Sequence, residues 1–303
     1  MLISFSIMKL SILIPIYKDN VVRQVALLQG QCKALEAEGL EWEIVVADDG
    51  SPQHLFDVNA PVADMDGCRL LRRERNGGRA SNRNFLARNA RYPWLLYQDA
   101  EALPGDSLVR RFVECAGRAD VVCGSFGVPE AEARGGNLRC MYELQTQRRL
   151  TAATRTRKPY GCFHINNFMI RREVLLGHPF DESMTGYGYE DVVFGKHLEQ
   201  ARVGVFHIDN PVAYQGFEDN MAFIAKVGES VGTLYRYRDE LHGYSALLGL
   251  VEKMKRCRLL WLSHLFMMAF SRLIVSNLSG RNPSLFLFNV YRVGLLADKF
   301  YAD

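Results

Sequence analysis

Three groups of carboxylates stand out along the chain: Asp48-Asp49, Asp99 with Glu101, and Glu190-Asp191. Asp99-Ala100-Glu101 closes the apolar run Tyr92-Pro93-Trp94-Leu95-Leu96-Tyr97 and is followed by Pro104-Gly105. On an extended backbone residues i and i+2 project from one face, so Asp99 and Glu101 are expected to aim at one point beyond the end of a buried strand. Their oxygens suit hard cations such as Mg²⁺ or Mn²⁺, which keep open positions for phosphates. Asp48-Asp49-Gly50-Ser51 offers acceptors for a base ring N–H or a ribose hydroxyl, although the same tetrapeptide also makes a good turn. The segment Asn76-Gly77-Gly78-Arg79-Ala80-Ser81-Asn82-Arg83-Asn84 joins glycines, N–H groups at a helix start and guanidinium forks, the parts of a diphosphate cradle. In Gly186-Tyr187-Gly188-Tyr189-Glu190-Asp191 the glycines let a loop pass close to a ligand, and the tyrosines offer flat faces for a sugar ring. Glu190 and Asp191 open a helix, where the dipole favours their charged forms.

The elements that must position these groups follow from the hydrophobic pattern. Residues 10–15 read as a buried strand, followed by a helical pattern capped by Asp19 or Asn20 and stopped by Gly39, and by a second strand over 42–47. A third round ends at Tyr97, so the first half is a parallel α/β sheet, with Tyr17, Asp48-Asp49 and Asp99 at the carboxyl ends of strands where ligands bind. Asp106 is expected to cap a helix over 108–116, and 121–126 is strand-like. Residues 130–160 turn polar and basic and read as a mobile loop with some helix. A strand over 165–170, a helix over 190–201 and a short extended stretch over 203–207 precede a tail of helices beyond Phe217.

At 303 residues the chain suits one large domain with an extension, or two modest domains. The net charge is only +3, but eight arginines fall between Arg69 and Arg91 with Glu74 as the only acid, a cluster that attracts anions. The aromatic interleaving of a single-strand binder is missing, which argues against nucleic acid. Seven scattered cysteines without a C-x-x-C pair point to a reducing compartment and away from structural zinc. The start MLISFSIM does not read as a signal peptide, and Met8 is an alternative beginning. No G-x-G-x-x-G follows the first strand and no G-K-[ST] loop occurs. From Lys253 to Arg292 there are seven basic residues and no acid; the apolar stretch 259–278 is broken by His264, Arg272 and Asn277, which argues against a span and leaves packing against the sheet domain as the default reading and an amphipathic surface on an anionic membrane as the sharper one.

Together these motifs resemble the family 2 glycosyltransferases of the GT-A fold, over Lys9 to Phe217. The resemblance rests on Ser11-Ile12-Leu13-Ile14-Pro15-Ile16-Tyr17, Val46-Ala47-Asp48-Asp49-Gly50-Ser51, the 76–84 segment, Asp99-x-Glu101, Asn167-Phe168-Met169-Ile170-Arg171-Arg172 and the 186–191 loop. It implies an α/β fold, a GT-A type mostly parallel sheet flanked by helices with a C-terminal helical extension. The expected domain is 8–217, with a donor half of about 8–105 and an acceptor half of about 106–217, and the extension is 218–303. By resemblance Pro15 and Tyr17 line a nucleoside pocket, Asp49 contacts the base, Arg79 and Arg83 lie near the donor phosphates, and Asp99 and Glu101 hold Mn²⁺ or Mg²⁺. Asp191 is the catalytic base, Glu190 binds hydroxyls, and Tyr187, Gly188, Tyr189 and Asn167 serve the acceptor. Two positions depart from the family: Glu101 stands where an aspartate is usual, and Tyr214 where some members supply a histidine, with His207 nearby.

The implied protein is a cytoplasmic, peripherally membrane-associated inverting enzyme. It moves a sugar from a nucleoside diphosphate to a saccharide or lipid-linked acceptor in cell-surface polysaccharide synthesis. A nucleotidyltransferase would want a glycine-rich, lysine-bearing loop after the first strand, and Pro15-Ile16-Tyr17-Lys18 is not one. A non-catalytic glycan- or partner-binding member is the third reading, against which the Glu190-Asp191 pair stands.

Overall fold

The computed structural model describes residues 8–100, 102–128, 130–184, 186–214 and 216–302. The chain forms two compact units: Met1–Gly127, Leu150–Met184 and Phe194–Gln215 make the first, and Val128–Arg149, Thr185–Val193 and Gly216–Asp303 the second. The second thus gathers two internal segments besides the tail expected from 218 onward. Strands β1 (Met8–Ile16), β2 (Leu40–Asp48), β3 (Cys68–Arg72), β4 (Trp94–Gln98), β5 (Ala102–Pro104), β6 (Val121–Gly127), β7 (Asn167–Arg171) and β8 (Val205–Tyr214) all belong to the first unit. The helices are α1 (Val22–Glu36), α2 (Gln53–Phe56), α3 (Arg79–Asn89), α4 (Leu108–Cys115), α5 (Glu130–Arg134), α6 (Leu138–Arg149), α7 (Ala152–Thr156), α8 (Arg172–Gly177), α9 (Glu190–Gln200), α10 (Asn220–Arg236), α11 (Ala246–Arg256), α12 (Leu260–Ser279) and α13 (Leu285–Ala302).

The eight strands form one sheet in the order β3-β2-β1-β4-β7-β6-β8-β5. The β3-β2-β1-β4 half is parallel, as the strand–helix–strand pattern predicts, and β7 runs antiparallel to both β4 and β6. Alternate residues serve opposite faces. Ile12, Ile14, Ile44, Val46 and Leu96 pack on one side with Val25 and Leu28 of α1, while Leu13, Val45, Ala47, Leu95 and Tyr97 pack on the other with Leu86 of α3. Burial on both faces is why these strands read as continuous apolar runs. Glu43 is the polar exception inside β2. It accepts from Ser11 Oγ (2.7 Å), Arg69 Nη1 (2.9 Å) and the Arg91 N–H (2.7 Å), so its charge is satisfied at the end of the strand away from Asp48.

Several expectations are corrected. Residues 130–160 are largely helical, and α6 fully buries only Leu138, Arg139 and Cys140, with Glu143 partly buried, too short a stripe to show as periodicity. The residue at the start of α4 is Ser107 in place of Asp106, and no side chain caps that helix. The short stretch at 203–207 is the start of the ten-residue β8, whose pairing with β6 shifts register between Cys123 and Ser125.

Arg155 of α7 explains why that irregular join holds. Its buried guanidinium donates to the carbonyl of Gly124, to the carbonyl of Ile208 (2.9 Å) and to His207 Nδ1 (3.3 Å). Since arginine only donates, Nδ1 accepts and the His207 proton sits on Nε2, which faces the Pro159 carbonyl at 2.9 Å. His207 is therefore a strut with both nitrogens committed, and it does not stand in as a metal ligand. Burial, and then the neighbouring guanidinium of Arg155, push it down to about 4, opposed by the Pro159 bond; burial pushes His164 down to about 3.

A histidine held neutral in the fold but protonated near 6.5 in the unfolded chain contributes stability that is complete above 6.5 and lost as pH falls toward 4. For His207 the loss by pH 5 is on the order of 2 kcal/mol. The midpoint of urea unfolding should fall between pH 7 and pH 5, and His207→Asn should flatten that fall while lowering stability at pH 7.

Candidate active site

In the first unit, the parallel strands β1, β2 and β4 deliver Tyr17, Asp49 and Asp99 to their carboxyl ends. Connections leave β1 toward β2 on one side, while β4 flanks it on the other, the switch point at which open α/β sheets bind ligands. Pro15 sits inside β1 opposite Ala47, and Tyr17 just beyond the strand is exposed. The loop is bent sharply: Lys18 adopts φ 67°, its N–H donates to Ser51 Oγ (2.8 Å), and the Tyr17 N–H donates to Asp19 Oδ2 (3.0 Å).

Asp49 is buried and both its oxygens are engaged. Oδ1 accepts from Arg73 Nη1 (2.6 Å) and the Gly77 N–H (3.1 Å), and Oδ2 from the Gly78 N–H (2.9 Å). The glycine N–H groups expected to cradle phosphate are thus directed at Asp49, and the carboxylate expected to meet a base organises the turn into α3. Gly78 needs φ 87° to make it. Ser81, Asn82, Arg83 and Asn84 of α3 are all buried. Asn82 donates to the Ala47 carbonyl (2.8 Å), Asn84 holds the Phe180 backbone at both its N–H and carbonyl, and Ser81 accepts from Arg73 (3.0 Å). Arg79 at the first position of α3 is exposed.

Arg83 is buried with its guanidinium on Asp99 Oδ1 (2.8 Å). Gln24 of α1 fixes the turn there, donating to the carbonyls of Asp99 (2.9 Å) and Ala102 (2.8 Å). Tyr214 ends β8 opposite Ala102, and its hydroxyl accepts from Asn166 (3.3 Å), whose carbonyl receives the Asp99 N–H (3.1 Å). Glu101 lies outside the described residues. Asp19, read from the sequence only as a helix cap, belongs to this site. Burial raises its pKa, and the charges of Asp99 and Asp48 raise it further, against the Tyr17 N–H and Arg79. Its signal was an acid three residues beyond the first strand, hidden by the ordinary preference of helix starts for aspartate. Among the described residues no three histidine, cysteine or carboxylate side chains converge on a metal position. The donor set of Asp99 and Asp19 is nevertheless hard oxygen under mutual repulsion, which fits a cation shared with phosphate.

Asn167 is a correction. It is fully buried in β7, its Nδ2 donates to the carbonyls of Ser125 (2.9 Å) and Asn210 (2.8 Å), and its Oδ1 accepts from Gln98 (2.6 Å). It joins β4, β6 and β8 and has no group left for an acceptor.

The second unit carries Tyr187, Gly188, Tyr189, Glu190 and Asp191. The loop is contorted, with φ of 108° at Gly186, 91° at Gly188 and 68° at Tyr189. A Cβ on Gly188 would stand 2.6 Å from Ser230 Oγ, and one on Gly186 2.7 Å from Thr233 Oγ1, so α10 leaves room only for glycine. A tyrosine in the left-handed region is strained, a state found at functional loops. Lys226 of α10 lies 5.8 Å from the Tyr187 ring centre and bonds Glu218 (3.0 Å), which also receives Arg139 (2.6 Å). Asp191 is the second residue of α9, after Glu190, and its Oδ1 accepts the N–H of its neighbour Val192 (2.9 Å). Burial pushes Glu143 of α6 up to about 7; Arg139 opposes the shift and the charge of Asp191 adds to it. Nothing in the sequence distinguished Glu143 from other helical glutamates.

Because Glu143 keeps its proton in the fold up to about 7 while the unfolded chain loses it near 4.5, its contribution to stability falls as pH rises through that window. Glu143→Gln should match the wild type in unfolding free energy near pH 4.5 and exceed it at pH 8 by about 3 kcal/mol, as read from urea unfolding.

The model described as "Glycosyl transferase family 2" matches residues 11–177. No curated protein matches the chain. The mannosyltransferase PcManGT from Pyrobaculum calidifontis, solved in complex with GDP-Man and Mn²⁺, is 13% identical with a TM-score of 0.63, over 98% of this chain and 87% of its own. S. aureus TarS is 14% identical with a TM-score of 0.50 over 80% of this chain, which spans only 45% of that TarS chain. TarS 1-349 in complex with UDP-GlcNAc gives 12% identity and a TM-score of 0.52, over 97% of this chain and 92% of that one. At these identities the likeness is one of fold, and the fold is that of GT-A glycosyltransferases. With the family match running from β1 to α8 over more than half of the chain, the chain belongs to glycosyl transferase family 2.

Proposed function

We propose that the chain is an inverting transferase that takes a hexosyl or N-acetylhexosaminyl group from a nucleoside-diphosphate sugar and places it on a saccharide or lipid-linked acceptor in cell-surface polysaccharide synthesis. The observation that carries this reading is the convergence of Tyr17, Asp19, Asp49 and Asp99 beyond β1, β2 and β4, with Arg83 buried against Asp99. The exposed Tyr17 ring suits the flat face of a nucleoside, and the exposed Arg79 at the start of α3 suits the diphosphate. Complexes of the fold relatives with GDP-Man and with UDP-GlcNAc support a nucleotide sugar as donor.

Transfer by this reading is a single displacement. An acceptor hydroxyl oxygen bonds to the anomeric carbon as the bond to the diphosphate oxygen breaks, and Asp191 takes the hydroxyl proton. Negative charge grows on the departing diphosphate, where Arg79 would meet it, while Arg83 would hold Asp99 in place. Asp99 and Asp19 would hold a divalent cation, Mn²⁺ or Mg²⁺, together with Glu101 from outside the described residues. That cation would supply charge neutralisation at the diphosphate. Glu190 would bind hydroxyls, and the Tyr187 and Tyr189 rings would stack on acceptor sugar faces.

A thermal-shift panel of UDP-, GDP-, CMP- and dTDP-linked compounds should show stabilisation by one base class, since a ligand of the folded state raises its melting temperature by mass action. Asp191→Asn should keep that shift and lower transfer by roughly 10²–10⁴-fold; unchanged turnover would remove Asp191 as the base. Arg83→Met should weaken the nucleotide shift, and a panel without any response would end the donor assignment.

A further inference from the structure

In the second unit α12 packs through one stripe only. Leu260, Met267, Ile274 and Leu278 are its buried residues. Gly294 brings α13 close beneath it, since any side chain there would collide with Met267. His264, on the same side, bonds Asp298 (3.1 Å) and stacks on Tyr301 with ring centres 4.6 Å apart. The opposite face is in solvent and almost entirely apolar. Met268 is 70% exposed, Leu273 67%, Trp261 53% and Leu265 52%, and the only exposed polar residues of the helix are Arg272 and Ser276. An exposed apolar face of this extent marks an interaction site.

The elbow before α12 supplies the complementary charge. Helices α11 and α12 meet at 113°, a bend to which Arg258 contributes with φ 58°. Lys253, Lys255, Arg256 and Arg258 are all exposed there, immediately ahead of the apolar face. Between Lys253 and Arg292 the chain has no acid. No single helix among the described residues is long and apolar enough to cross a membrane, and α12 has one side committed to α10 and α13.

We propose that the outward face of α12 and the basic elbow before it seat the protein on an anionic lipid bilayer, with α12 lying in the interface plane. The apolar row enters the headgroup–acyl boundary, and the four elbow cations meet the phosphates of anionic lipids. Charge selects this occupant over a second copy of the chain. A two-fold contact places a patch against itself, and this patch would bring its cations to a surface that offers no carboxylate in return.

The full chain should sediment with phosphatidylcholine vesicles containing about 30% phosphatidylglycerol, and little with phosphatidylcholine alone; salt should release it as screening shortens. Trp261 emission should shift to the blue with the anionic vesicles, and Trp261→Phe should abolish the shift while leaving sedimentation. The double variant Leu265→Ser/Leu273→Ser and the double variant Lys255→Glu/Arg256→Glu should each lower the bound fraction about tenfold or more. Circular dichroism and melting should stay near wild type, because all four side chains are exposed. Absence of binding to anionic vesicles, or binding that neither double variant reduces, would overturn the proposal. So would light scattering that shows a dimer dissociated by Leu265→Ser/Leu273→Ser in a protein that ignores vesicles.

Discussion

The carboxyl end of the parallel half of the sheet depends on Asp49. A buried aspartate must be met by donors or it costs several kcal/mol, and here Arg73, Gly77 and Gly78 meet it while its own N–H donates to the Ile16 carbonyl (2.9 Å). One residue therefore ties the end of β2 to the end of β1 through its backbone and sets where α3 begins through its side chain. Everything α3 then brings to the site is decided by that start: Ser81 toward Arg73, Asn82 toward Ala47, Arg83 toward Asp99 and Asn84 toward Phe180. The ion pair of Arg83 with Asp99 closes the circuit from α3 to β4. A guanidinium with almost no exposure tolerates that position only because a carboxylate waits at the strand end.

The strands that build this frame were legible because their apolar runs are buried on two faces and need no period. What the sequence concealed were elements without an apolar signature of their own. The three-residue β5 is too short to read, β8 is broken up by Asp209-Asn210-Pro211, and α5, α6 and α7 pack through residues such as Arg139 and Arg155 that read as solvent-facing. The polar residues of the site divided in the same manner. Asp49, Asp99 and the arginines of α3 were visible as types in a pattern, whereas their partners were not. Asn167 looked available because an asparagine in a motif does not reveal that its whole amide is spent on strands β4, β6 and β8. Asp19 and Glu143 were invisible because each is an ordinary helix-associated acid until its neighbours are known.

The second unit shows a different economy. Its 186–191 loop is held in three left-handed residues, and α10 presses on it through Ser230 and Thr233. Such a conformation persists when surrounding contacts over-determine it. The burial of Tyr189, whose hydroxyl is pushed upward in pKa by that burial, and the ammonium of Lys226 near the Tyr187 ring, itself held by Glu218, supply those contacts. Asp191 thus follows directly on a segment with little freedom to relax.

Gln24 has a consequence for what holds the turn after β4. It grips the carbonyls of Asp99 and Ala102 from α1, and Ala102 is further paired to Tyr214 across β5 and β8. The main chain at Asp99 and at Ala102 is thus anchored from α1 and from β8. Asp99 is therefore kept within reach of Arg83 by backbone contacts made from two other elements, and the ion pair does not have to hold the turn by itself.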